Sequence, residues 1–180
     1  MQNLIGNLRV FCACLFCGPL LLSGCSVTTT SMVPSDFEVV KKYPYSVAVQ
    51  STGGSVTNPL FAAQIADRDF VDALSISIKQ SGLFKSVTPD IYTADYILSV
   101  TMLNYTKPPV WLDFDVCMKT TWMLTEAKTQ KCVWNETFET TYKAKTAEVV
   151  TGSEKSQTTN SWVARTNIRE GIKRLSMANF

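Results

Sequence analysis

Few side chains in this 180-residue chain are equipped for covalent or acid/base chemistry. Histidine is absent. That removes imidazole as a base, His-dependent triads and most zinc sites together. Among the six cysteines, Cys25 stands out because Leu22-Ser23-Gly24 precedes it. Ser23 and Gly24 leave the backbone beside it uncrowded, and its thiol is a candidate nucleophile. Asp113 and Asp115 share one face of an expected strand, a spacing at which paired carboxylates can cooperate in glycoside hydrolysis. Their position next to Pro108-Pro109 favours exposed polar residues beside a turn. Gly53-Gly54 could cradle phosphate on backbone amides. No lysine stands at the P-loop position and a third glycine is missing, so this stretch reads as a plain turn.

The residues before Cys25 set its context. Arg9 is the only charge among the first 35 residues, and Val10 to Leu22 carries none. This run falls short of the roughly 20 apolar residues of a membrane-spanning helix. With Gly18-Pro19 inside it, it fits a cleaved signal peptide better than a permanent anchor. Leu22-Ser23-Gly24-Cys25 resembles the lipobox of bacterial lipoproteins; Cys14 and Cys17 have poorer contexts. The resemblance implies cleavage between Gly24 and Cys25 and acylation of Cys25, and several acyl chains hold a protein firmly on a bilayer. Ser26, where enteric bacteria use aspartate for inner-membrane retention, points to the outer membrane, facing the periplasm. The expected division is a signal peptide over 1–24, a lipidated cysteine and flexible tether over 25–44, and a single domain over 45–180.

Cleavage after residue 24 leaves 156 residues, enough for one domain with a real core, and 16 basic against 15 acidic side chains. So even a balance gives no reason to expect nucleic acid as a partner. Cys117 and Cys132 then remain in an oxidising compartment, where a disulfide is the usual outcome. The strand pattern argues against one, as shown below. No metal site and no cofactor are expected.

The elements follow from period and punctuation. Ser26 to Ser35 is hydroxyl-rich and aperiodic, and reads as a tether with a reach of roughly 15 to 20 Å. Tyr45 to Gln50 reads as a strand. Phe70, Leu74 and Ile78 make a helical stripe capped by Asp67 and ended by Gly82. A short strand at 85–88 follows, then one at 95–105 with Tyr96, Leu98, Val100 and Met102 on one face. Residues 111–124 and 131–143 read as a hairpin. A register near a pair sum of 256 sets Trp122 against Trp134 and Leu124 against Cys132. Cys117 then lies about seven residues from Cys132 along the ribbon, roughly 23 Å, beyond the ~7 Å Cα limit of a disulfide, and Cys132 becomes a small core residue. Lys143 to Asn160 reads as a long polar connection. Ser161 caps a final helix with Ala164, Ile168, Ile172 and Leu175 inside. Arg165, Arg169, Lys173 and Arg174 form a basic ridge beside that stripe, a candidate partner surface together with Trp111, although a solvated helix face is the plainer reading.

The expected fold is therefore α+β, an α/β sandwich with a small, mostly antiparallel sheet of four to five strands packed by two main helices. Ser81-Gly82-Leu83-Phe84, Ala94-Asp95-Tyr96 and the Trp122-to-Trp134 hairpin are similar to motifs of a periplasmic α/β module. That module is found in the TolB N-terminal domain, the curli-secretion lipoprotein and the lipoprotein activator of penicillin-binding proteins. Those motifs are structural and carry no catalytic residue. The resemblance, over about 46–142, implies a binding or scaffolding part in the envelope. The resulting expectation is a non-enzymatic outer-membrane lipoprotein, an adaptor for an envelope assembly or transport complex that attaches to the membrane through its lipid and to an envelope protein. A lipid or lipopolysaccharide carrier is the alternative, and a hydrolase using Asp113/Asp115 a third reading.

Overall fold

Alternating apolar residues in the second half of the chain build the centre of the sheet, and two amphipathic helices cover one face of it. The computed structural model describes residues 27–55, 64–106, 114–144 and 152–180; Gly24, Cys25, Trp111 and Asp113 lie outside them. The elements are α1 (Thr29–Met32), β1 (Tyr43–Thr52), α2 (Asp67–Ser81), β2 (Phe84–Val87), β3 (Tyr96–Thr106), β4 (Phe114–Glu126), β5 (Cys132–Ala144) and α3 (Gly152–Ser176). They form an α+β fold around an open five-stranded sheet in the order β2-β1-β3-β4-β5. The sheet is mixed. β1 runs parallel to both β2 and β3, while β3, β4 and β5 are antiparallel neighbours with the longer ladders.

The expected local signals position α2. Phe70, Leu74 and Ile78 are fully buried, and Gly82 ends the helix at φ 64° with its N–H on the carbonyls of Ile78 and Lys79. That left-handed turn costs glycine little, and it delivers Leu83 and Phe84 straight into the core. The N-cap is Ala66 rather than Asp67. Asp67 Oδ1 instead accepts hydrogen bonds from Ser51 Oγ and the Gly54 N–H, both at 3.0 Å. A carboxylate of the chain itself thus takes the amide that a phosphate would have needed.

The Ala94-Asp95-Tyr96 motif is likewise a joint. Ala94 is buried, and the Asp95 carboxylate accepts from the Ser46 N–H (2.8 Å) and Ser46 Oγ (2.7 Å), tying the start of β3 to β1. Those two bonds hold its pKa below the ordinary aspartate value. Tyr96 meets Phe180 and Tyr45 edge-on, and Phe180 also packs on Tyr43.

Three further expectations need correction. The hairpin pairs Trp122 with Glu136 and Leu124 with Trp134, two residues from the expected register. Parity is kept, so Val116, Met118, Trp122, Leu124 and Phe138 still share the buried face. A bulge between Leu124 and Thr125 then breaks that parity and sets Cys132 opposite Thr125, since an extra residue turns those beyond it to the other face. Cys132 is therefore exposed rather than in the core, and Cys117, paired with Thr141, is a separate free thiol.

The second correction concerns α3, which begins at Gly152, well before Ser161. Its early turns bury Thr159, Asn160 and Ser161 instead of hydrocarbon, so they lack the apolar period that marks a helix. Beyond them Val163, Ala164, Ile168, Ile172 and Leu175 are fully buried. Gly171 sits against Trp122, where a Cβ would lie 2.2 Å from the indole ring. Asn167 Oδ1 accepts from Thr120 Oγ1 (3.1 Å) and Trp122 Nε1 (3.2 Å), and its Nδ2 donates to Thr140 Oγ1 (3.2 Å). The third correction is the tether. Val27 and Met32 are core residues, and the segment from Val27 to Lys41 is docked along α3.

Candidate functional site

Basic side chains form a ridge on α3, and its partner is the segment that precedes β1. A helical spacing of four puts Arg165, Arg169 and Lys173 on one side, and each meets a group further along the segment. Arg165 donates from Nε (3.1 Å) and Nη2 (2.5 Å) to the carbonyl of Ser31, near the end of α1. Arg169 pairs with Asp36 at 3.0 Å and Lys173 with Glu38 at 2.5 Å. The bond to Glu38 raises the Lys173 pKa. Ser31 and Ser161 share a hydroxyl bond of 2.7 Å, the Val40 N–H donates to Ser176 Oγ, and Lys41 Nζ reaches Asn179. Residues 31 to 41 therefore run parallel to α3 as a strap, held by Val27 and Met32 in the core and registered by polar contacts outside it.

Arg174 points elsewhere. It pairs with Glu136 on β5 and with Glu170 one turn back (2.6 Å), above the Phe138 ring at 4.8 Å. Both carboxylates raise its pKa, the bond to Glu136 most. The structure thus brings three of the four expected ridge residues together and turns the fourth to the sheet. All four find partners inside the chain. Asp36 and Glu38, which complete the arrangement, were missed by the sequence reading. The matching spacing of an Asp-x-Glu pair is a weak signal when its partners lie about 133 residues away.

Where the strap begins, Val27, Thr28, Ser31, Thr158, Trp162 and Arg165 line an open groove of about 300 Å³. Trp162 is 38% exposed; its indole stacks on Tyr142 at 5.5 Å and 7°, and Arg165 lies 4.5 Å above it. At the opposite end of the sheet, the turn before β3 presents Tyr92 to solvent, with Asp90 Oδ1 accepting from the Tyr92 N–H. Between sheet and helices Trp122, Phe70, Leu74, Leu98, Met118 and Ile168 have almost no exposed surface. No helix among the described residues is long and apolar enough to cross a membrane.

No protein-family model matches the chain, and no curated protein does so by sequence. Solved structures do share its fold. Protein XCC0632 from Xanthomonas campestris, at 12% identity, aligns over 79% of this chain and 94% of its own with a TM-score of 0.55. The PelC dodecamer subunit from Paraburkholderia phytofirmans, at 16% identity, aligns over 81% and 95% with a TM-score of 0.51. Hypothetical protein CT253 from Chlamydia trachomatis, at 10% identity, aligns over 78% and 100%, also at 0.51. At these identities the likeness is one of fold.

Proposed function

We propose that this chain is a lipid-anchored envelope lipoprotein, acylated on Cys25, held on the periplasmic face of the outer membrane, and working without catalysis as an adaptor in an envelope assembly or transport complex. The observation that carries the reading is the junction of Leu22-Ser23-Gly24-Cys25 with a domain whose first core residue is Val27. The fold shared with PelC, which assembles as a dodecamer, supports a scaffolding role, as does the likeness of the Ser81–Phe84 and Ala94–Tyr96 motifs to the TolB and curli-secretion group. A chain without histidine, with Trp122, Phe70 and Met118 buried between sheet and helices, favours an adaptor over either an enzyme or a carrier.

Labelled palmitate tests the anchor: it is incorporated into the native chain and absent from Cys25→Ser, which also leaves the membrane fraction. Equal labelling of both forms defeats the reading. Photocrosslinkers at Tyr92 and at Thr137, on the open face of the sheet, test the role. The adaptor yields discrete protein adducts, a second copy of the chain among them if it assembles as PelC does. Co-purifying lipid with no protein adduct supports the carrier instead.

A further inference from the structure

We infer that the corner of the molecule where α1 crosses α3 is a membrane-resting surface that seats directly on phospholipid headgroups. The inference deepens the proposed anchor and rests on acylation of Cys25. Its physical basis is reach. A residue spans at most about 3.3–3.6 Å of extended chain, so Val27, two positions after Cys25, lies within roughly 7 Å of the acylated residue. Val27 is not free to swing, because it is 2% exposed and packed into the core beside Met32. Without a tether, the body of the domain must meet the headgroup layer, and it meets it with the groove that Val27 and Thr28 share with Thr158, Trp162 and Arg165.

The groove's chemistry suits that neighbour. Tryptophan favours the membrane–water interface, where an apolar ring and a polar N–H are both accommodated. Trp162 is the exposed member of a stack with Tyr142. Arg165 covers it and commits two N–H groups to the Ser31 carbonyl; a guanidinium has five, so donors remain for lipid phosphate. Thr28 and Thr158 add exposed hydroxyls at the rim. The occupant is thus a glycerophospholipid surface, and the strap sets the orientation in which the domain lies on it.

The test uses the mature acylated protein in phosphatidylethanolamine/phosphatidylglycerol vesicles, part of whose lipid is brominated near the glycerol end of the acyl chains. Bromine quenches tryptophan at short range. Quenching is expected in the native protein and should be lost in Trp162→Phe. It should also be lost when a Gly/Ser spacer of about ten residues, worth roughly 16–19 Å of coil, is inserted between Ser26 and Val27, with an unchanged circular dichroism spectrum as the control for folding. Quenching that survives both changes, or none in the native acylated protein, overturns the membrane-resting surface alone. A mass spectrum showing Cys25 unacylated overturns the anchor and this inference with it.

Discussion

The two sides of α3 solve the same problem, holding a helix in register, with opposite physics. On the inner side Asn167 satisfies the hydroxyl of Thr120 and the indole of Trp122 in a fully buried setting. On the outer side Arg169 and Lys173 meet Asp36 and Glu38 where water and salt compete. A buried polar group without a partner costs its full desolvation, whereas an exposed ion pair contributes little. The inner contacts should therefore set stability, and the outer ones should choose where the strap lies.

Four measurements can break or sharpen that contrast. Asn167→Leu orphans Trp122 Nε1 and leaves Thr120 without its acceptor, so urea unfolding should show a loss of about 2–6 kcal/mol at about 1–3 per group. A loss no larger than that of an exposed pair would undo the comparison. Met32→Ala removes the strap's fully buried side chain and should cost about 2–5 kcal/mol, with faster amide exchange through residues 28–40. Arg169→Ala should cost only about 0.2–1 kcal/mol at low ionic strength, and the difference should vanish in 1 M salt. The smallest effect is the acid dependence of the β1–β3 joint. Since Asp95 has a lowered pKa in the fold, its contribution is whole above the ordinary value of about 3.9 and is lost as pH falls through the lower, folded value. Melting curves should show Asp95→Asn less stable than the native chain at neutral pH, with the gap closing below about pH 4.

The same contrast explains what could be read without coordinates. Phe70, Leu74 and Ile78 declare α2, and Gly82 its end, because hydrophobic period and left-handed backbone are local properties. The even-numbered face of the hairpin was legible for the same reason. Its register was not, since the bulge at Leu124/Thr125 depends on how the turn closes, and Cys132 was misplaced as a result. The early turns of α3 stayed hidden because Thr159, Asn160 and Ser161 are buried as polar groups. The strap stayed hidden because hydroxyl-rich residues gave no period, and its apolar members, Val27, Met32, Val33, Phe37 and Val39, follow neither a helical nor a strand spacing. The ridge was legible as a candidate partner surface or a solvated face; what the sequence did not show is that Arg165, Arg169 and Lys173 meet this chain's own segment. Gly24, Cys25, Trp111 and Asp113 lie outside the described residues; the labelling experiment tests the chemistry read at Cys25.

The strap also imposes an order of events during biogenesis. Its contacts on α3 join residues 31 and 165, 36 and 169, and 38 and 173, so nothing can clasp it until the last helix has been synthesised. Until then Asp36 and Glu38 have no cation to meet, and Met32 has only part of its core around it. Arrival of the final helix then closes the clasp, so the front of the domain settles only once its tail has folded.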